Sequence, residues 1–252
     1  MSNAIRQDLL RLSQELGRPE NRLAILSEGN TSAKIDEATF LVKASGCQLE
    51  AMTHEHLVQL RFHDILKLLD AGLSDDETHT ALQHARVDST ALKPSVEATF
   101  HAWLLKQEGV KFVGHTHPIE VNKILCSDRA DDFANRRMFP DEIVCCGPKS
   151  LLIDYVDPGT ELAETIRDGW VDFINNNDFA PRLILLRNHG LIAVGASVDS
   201  VLATTFMAAK AAEIFAGASA LGKIVFMPDK EVHRICTRAD EHYRQRLLKL
   251  TE

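Results

Sequence analysis

The run VKFVGHTHP, residues 110 to 118, constrains this chain more than any other stretch. An apolar segment of strand character ends in two histidines and is stopped by Pro118. Residues i and i+2 of a strand share a face, so His115 and His117 would aim both imidazoles into one space, the geometry of a metal site. Two exposed histidines at the mouth of a loop would have the same sequence, so metal binding needs further ligands. A third imidazole stands where LILLR runs out into the turn Asn188-His189-Gly190. His115, His117 and His189 could meet on one cation, with positions left open for catalysis, if their strands are neighbours in a sheet. His54, His56, His63, His79, His84 and His233 lie in polar stretches and read as solvated or capping residues.

Other segments set the expected frame around these strand ends. An amphipathic helix ends at Gly17, and TSAKID and TFLVKAS, broken at Asp36-Glu37-Ala38, predict a hairpin. Residues 53 to 88 mix helical and strand signals and assign no element. Pro94 predicts the start of a helix, PSVEATFHAWLLKQ, closed by Gly109. PIEVNKIL reads as a short helix, DEIVCCG and LLIDYV as strands, and TELAETIRDGWVDFINN as a helix. RLILLRNHG predicts a buried strand paired with LIAVG. SVDSVLATTFMAAKAAEIFAGASA is the longest helix and RADEHYRQRLLKL the last. Strands and helices mix without a regular βαβ alternation, so the expected fold is a layered α/β or α+β sheet with antiparallel pairs. No linker, repeat or low-complexity tract interrupts the chain, which predicts one domain over residues 1–252.

Charge narrows the partners. The chain has 28 basic against 36 acidic residues, a formal net charge of -8, and no basic stripe interleaved with aromatics. Nucleic acid and an anionic membrane surface are therefore excluded as expected partners. The first helix carries charges throughout, unlike a signal peptide, and no apolar run is judged to approach the roughly 18 residues of a membrane span, so a cytoplasmic location is expected. Five cysteines without a CxxC pair read as reduced, mostly buried thiols, with Cys145 and Cys146 on opposite faces of a strand.

Three further stretches carry chemistry. Glu97, in KPSVEATFH, lies at a predicted helix start, where a carboxylate commonly pairs with the helix dipole. His101, four residues on, shares its helical face and could hold the carboxylate in place, and Ser95 with the free N–H groups of the first turn could hold an anion. SEGNTS and KASGCQL, with Asn30, Lys43, Ser45 and Gly46, place small polar residues beside glycine, which suits a phosphate or carboxylate held by backbone N–H groups. Ordinary turns have the same composition.

Taken in order, SEGNTSAK, KASG, PSVEATFH, GHTHP and RNHGL resemble the class II aldolase/adducin family, which includes fuculose-1-phosphate aldolase and ribulose-5-phosphate 4-epimerase. The resemblance runs from about Arg22 to Ala220. It implies a layered α/β/α fold around a largely antiparallel sheet, assembled as a homotetramer with active sites between subunits. It implies Zn2+, or another divalent transition metal, on His115, His117 and His189, with Glu97 as catalytic acid/base. It implies a phosphate pocket at Asn30, Ser45, Gly46 and Ser95, and a tyrosine near the C-terminus as proton donor, for which Tyr243 is preferred over Tyr155.

The implied substrate is a small sugar or sugar phosphate, cleaved through an enediolate whose charge a cation would stabilise. The resemblance also admits a decarboxylase of a 3-oxo acid phosphate, a sugar-phosphate 4-epimerase, or a non-catalytic adducin-like scaffold. Family 4-epimerases carry Asp where this chain has Glu97, and adducin heads lack the complete histidine set. PSVE is most similar to the aldolase portion of bacterial rhamnulose-1-phosphate aldolase/dehydrogenase proteins. Val96 stands where many sugar-phosphate members have a second serine, which opens the pocket to an unphosphorylated or carboxylate-bearing substrate. Other folds that use His-x-His, amidohydrolase barrels and cupins, do not fit long helices before and after a late motif.

Overall fold

The hairpin expected after the first helix forms around an aspartate. The Asp36 carboxylate accepts the Ala38 and Thr39 N–H groups at 2.8 and 2.7 Å, closing the turn between β1 (Asn30–Lys34) and β2 (Thr39–Lys43). The computed structural model describes residues 2–247. Helix α1 (Ser2–Gly17) precedes the hairpin, and the unassigned stretch after it becomes β3 (Leu57–Arg61), α2 (Phe62–Leu66) and α3 (Asp75–His84). Ser74 and Glu77 cap α3 reciprocally. His56 closes a similar box with Thr53, a capping role for one of the polar-stretch histidines.

Downstream lie α4 (Ala98–Leu104), β4 (Phe112–Thr116), α5 (Ile119–Leu125), α6 (Ala130–Asn135) and α7 (Pro140–Cys146). These are followed by β5 (Leu151–Ile153), α8 (Thr160–Asn177), β6 (Leu183–Leu186), β7 (Gly190–Gly195) and α9 (Val198–Leu221). Helices α10 (Asp229–Thr237) and α11 (Ala239–Leu247) complete the described chain, and residues 248–250 of the expected last helix lie outside it.

The strands form one seven-stranded sheet in the order β3-β2-β1-β4-β7-β6-β5, antiparallel except for the β5–β6 pair. Side chains alternate across it and feed two cores. Ala33, Leu41, Leu185 and Ala193 face α1, α5, α7 and α9, whereas Phe40, Val42, Val113 and Ile192 face α2, α4 and α8. The chain is therefore a layered α/β/α fold on a largely antiparallel sheet.

Four local expectations are corrected. Helix α4 begins at Ala98 because Pro94 pairs as a β-bridge with Ala44 and Ser95 N–H donates to the Lys43 carbonyl at 3.2 Å, keeping residues 94–96 out of the helix. The fixed φ of proline suits an extended segment as well as a first helical turn. DEIVCCG is helical, α7, with Pro140 at its first position; residues 142–146 are all buried, so the short apolar run carries no period that separates strand from helix. Cys145 and Cys146 consequently share a buried helix rather than opposite strand faces, and all five cysteines are free thiols. Finally, α9 has the length and composition of a membrane span, contrary to the sequence reading. Its Val201, Ala208, Ala211, Ala212 and Phe215 belong to the core on the α1 side of the sheet.

A buried guanidinium was invisible in the sequence. Arg137, 1% exposed, donates to the carbonyls of Phe133, Ala134, Arg136 and Gly147 and to Ser150 Oγ, with Glu142 at 3.9 Å. It ties the end of α6 to the end of α7. Burial raises the pKa of Glu142 from the usual carboxylate range, opposed by the Arg137 charge. Arg137→Met strands both the carboxylate and the carbonyls, and the expected loss is about 3–5 kcal/mol. Urea unfolding checks it; a loss below about 1 kcal/mol would show that the strut carries no stability.

Candidate metal centre and its carboxylate

Strand register brings the three histidines together. Asn30 of β1 and Ile192 of β7 both lie opposite His115 of β4, on the sheet face toward α4. His117 follows two residues later, its N–H held by the Leu23 carbonyl at 2.9 Å. His189 sits in the three-residue turn that joins β6 to β7, where Asn188 takes the left-handed conformation (φ 55°) and Asn122 Nδ2 donates to the His189 carbonyl at 3.0 Å. A Cβ at Gly190 would lie 2.5 Å from the Thr116 carbonyl oxygen and 2.7 Å from the His117 ring, so only glycine lets that turn close on His117.

The three rings surround one point. Their centroids are 4.8, 4.9 and 4.9 Å apart, and one ligand atom from each lies within 4.8 Å of the others. The Nε2 atoms of His115 and His117 are 3.0 Å apart, comparable with the roughly 3.3 Å between nitrogens on a tetrahedral zinc ion. Hydrogen bonds on the far side of two rings fix which nitrogen is free. His115 Nδ1 donates to the Leu191 carbonyl at 2.9 Å, and His117 Nδ1 faces Glu28 Oε2 at 3.3 Å. Both arrangements turn an Nε2 lone pair inward, the pattern of outer partners around metal-bound imidazoles.

Protonation is disfavoured at both rings. Burial, then the neighbouring His189, lowers the His115 pKa to about 3; burial, then His115, lowers that of His117 to about 4. Neutral imidazoles with facing lone pairs repel, and a divalent cation between them removes that repulsion. The donor set of three nitrogens fits zinc and several other transition ions.

Glu97 completes the centre from the N-terminal cap of α4. It is 7% exposed. Its Oε2 accepts from Asn30 Nδ2 at 2.6 Å, whereas Oε1 is buried without a hydrogen-bond partner and lies 3.7 Å from His189 Nε2. His115 Nε2 is likewise 3.7 Å from Oε2, too far for a hydrogen bond. One oxygen is pinned and the other is free beside the three rings.

The pin is anchored deeper in the sheet. Ser32 Oγ lies 2.7 Å from His101 Nδ1, and His101 Nε2 meets Asn30 Oδ1 in a short contact. The Asn30 amide nitrogen can only donate to Glu97, so its oxygen must accept from His101 Nε2–H, which leaves Nδ1 to accept from Ser32. His101 is fully buried, and burial drives its pKa well down, so the neutral ring needed for this chain is the stable one. His101 therefore acts on Glu97 through Asn30 rather than by gripping the carboxylate itself. His101→Gln is expected to leave zinc content and KM near wild type while kcat falls about 10–100-fold through misplacement of Glu97. Equal kcat in the variant would remove His101 from the positioning chain.

A model of the Class II Aldolase and Adducin N-terminal domain matches residues 7–216. The chain belongs to the class II aldolase/adducin family. This family member is 31% identical over 194 residues to the uncharacterized oxidoreductase YuxG of Bacillus subtilis (strain 168), covering 73% of this chain but only 26% of that protein. The chain thus spans about a quarter of that relative's length. The fold matches an L-fuculose 1-phosphate aldolase at a TM-score of 0.70, with 17% identity over 97% of this chain and 98% of that one. It also matches YgbL from Klebsiella pneumoniae, whose description spans aldolase, epimerase and decarboxylase, at a TM-score of 0.71, 19% identity, and 92% and 98% coverage.

Within this aldolase/adducin fold, the other expected site residues are placed unevenly. Ser95 is 8% exposed, and its Oγ accepts from Asn30 Nδ2 at 3.2 Å and from Glu97 N–H at 3.3 Å, leaving its own proton available. Ser45 and Gly46 are exposed, and open space surrounds Gly46. Asn30 has both ends of its amide committed to protein partners. Tyr243 is 59% exposed on α11, which packs mainly on α7 and α10, away from the elements that carry the triad. Tyr155 is exposed and bonds to Asp157 at 2.9 Å. Sequence reasoning missed Glu28, although the SEGN turn was singled out: its carboxylate also accepts the Ile25 N–H at 2.7 Å, which fixes it for His117.

Proposed function

We propose that the chain is a metal-dependent aldolase that cleaves a ketose or ketose 1-phosphate beside its carbonyl. The observation that carries this reading is the division of labour at Glu97, with Oε2 held by Asn30 and Oε1 unpartnered beside the histidines. A fixed carboxylate with one free oxygen is suited to moving a proton at the carbon that becomes nucleophilic in the condensation direction. His115, His117 and His189 would hold the cation, zinc in first place, which when bound stabilises negative charge developing on the substrate oxygens. Ser95 offers its hydroxyl proton to the substrate, and Phe100 walls the site, its ring edge-on to His115 at 5.8 Å.

The reading takes residues 1–252 as one domain acting in the cytoplasm on a small-molecule substrate. It includes a homotetramer, which the exposed Leu221 and Val225 at 93% and 86% support as apolar surface in need of cover. Tyr243 serves as proton donor in this reading only if a neighbouring subunit delivers it to the site. Decarboxylation of a 3-oxo acid phosphate, or 4-epimerisation, is the second reading. Val96, 41% exposed and without a hydroxyl, weakens a phosphate pocket and leaves an unphosphorylated or carboxylate-bearing substrate open under either reading.

A proton NMR time course separates these readings. The zinc-loaded protein is incubated with ketose 1-phosphates, pentulose 5-phosphates, 3-oxo acid phosphates and their unphosphorylated counterparts, with Glu97→Ala in parallel. Dihydroxyacetone phosphate or dihydroxyacetone plus an aldehyde, absent in the variant, is the expected result. Release of carbon dioxide or an epimer would replace the aldolase reading by the second. A zinc-loaded protein inert to the whole panel would overturn both.

A further inference from the structure

Arg182 stands at the foot of β6, at the opposite end of that strand from the turn that holds His189. Its guanidinium is half-buried and donates to the Val144 carbonyl at 2.8 Å, which uses one of its five N–H groups. Among the described residues it forms no ion pair. The titratable groups that face it are the thiols of Cys146, Cys145 and Cys236, and burial acts against its charge. Burial also pushes the Cys146 and Cys236 thiols up, so both stay neutral and neither is a counter-ion. A guanidinium cannot lose its proton instead, so a positive charge is held here without an anion.

That charge lines a cleft of about 270 Å³ between α7, the foot of β6, α10 and α11. Of the residues that line it, only Lys149 and Arg182 carry charge, and both are cations. Lys149 is exposed and, among the described residues, is likewise without an ion pair. In a chain with a net charge of -8, a concave surface with two cations and no carboxylate reverses the local sign. Ile143, Cys146 and Phe179 give the cleft apolar walls. Lys149, Phe179 and Cys236 also line a wider groove of about 620 Å³, so the cleft continues into it on that side. Cys236 and Gln245 reach the cleft from α10 and α11, which lie outside the residues 7–216 matched by the family domain. The cleft is therefore not a feature of that domain alone.

We propose that this cleft is a second small-molecule site, remote from the histidines, which binds a small carboxylic acid. The acid places its carboxylate on the Arg182 guanidinium beside Lys149 and its apolar body against Ile143 and Phe179. The planar fork of a guanidinium matches a carboxylate bidentately, and the apolar walls require a carbon skeleton behind the charge. A volume below the roughly 300 Å³ at which drug-sized sites begin sets the size of the ligand. The site does not depend on the aldolase reading, because none of its residues belongs to the histidine centre.

The test uses the full-length zinc-loaded protein in calorimetric titrations, with benzoate as the acid with an apolar body and inorganic phosphate as charge without one. Arg182→Gln keeps a donor for the Val144 carbonyl and removes the charge; Lys149→Gln changes an exposed residue that the fold does not need. His189→Ala is the control for acids held by the metal. Benzoate is expected to bind wild type and His189→Ala alike, about 10-fold or more weakly in Arg182→Gln, and about 3-fold more weakly in Lys149→Gln. Phosphate is expected to bind His189→Ala more weakly than benzoate does. Thermal midpoints are recorded, and should Arg182→Gln fail to fold, iodoacetamide labelling of wild-type Cys236, mapped by mass spectrometry, decides: benzoate should slow it and leave labelling of Cys126 unchanged. No binding of benzoate by wild type, equal affinity in folded Arg182→Gln, or unprotected Cys236 would overturn the proposal. So would binding lost in His189→Ala, which would place the acid on the metal. Phosphate bound as tightly as benzoate through Arg182 would overturn the carboxylic acid as the ligand class.

Discussion

Glu97→Gln is expected to reduce turnover about 10²–10⁴-fold while leaving the zinc content and the fold intact. The substitution is nearly isosteric, and with its amide oxygen placed at Oε2 it still accepts from Asn30 Nδ2 at the pinned position. What changes is the free position: Oε1 becomes an NH2 group that can no longer take a proton. Because Oε1 has no protein hydrogen bond to lose, stability should change little or rise. Steady-state kinetics with the substrate identified by NMR, beside metal analysis and a melting curve, check the prediction. Loss of zinc in step with activity would mean that Glu97 supports the metal rather than the proton.

The second large effect concerns the cation. His189→Ala removes one of three nitrogen donors, whereas Glu28→Gln leaves all three and alters only the partner of His117 Nδ1. Loss of an outer partner typically costs 10–100-fold in metal affinity, and loss of a ligand costs more. The expected order from chelator competition is therefore wild type, then Glu28→Gln weaker by about 10–100-fold, then His189→Ala weaker still and inactive. Activity in both variants should return with excess metal in proportion to occupancy. A Glu28→Gln protein with wild-type affinity would remove Glu28 from the centre.

Much of this centre could be read along the chain because it is built from strand ends. GHTHP and RNHG mark two of them by composition alone, since a proline and an Asn-x-Gly turn each stop an apolar run. The adjacency of β4 and β7 was not legible, because it depends on which strands pair across 70 or more intervening residues. The Asn30–His101 chain was hidden for the same reason: its partners are 71 positions apart. His101 and Glu97 do share a helical spacing, but with Glu97 at the cap rather than inside α4, the imidazole reaches Asn30 first. Pro94 misled because the residue that opens many helices also suits an extended bridge, and here the pairing with Ala44 decided it. Arg137 and Lys43 carry no local sign of burial; both are lysine or arginine in mixed stretches, and only the packing of loops over them makes them interior.

Solvent exchange at the reacting carbon tests the central claim most directly. Zinc-loaded protein is held in deuterium oxide with dihydroxyacetone phosphate, and separately with dihydroxyacetone, while proton NMR follows the hydroxymethyl signals. The account predicts that wild type replaces one proton of the hydroxymethyl group by deuterium in at least one compound (for the symmetric dihydroxyacetone, one on each of its two equivalent groups), and that Glu97→Gln with equal zinc content does not. Exchange at the same rate in both proteins, or none in the loaded wild type, would contradict it.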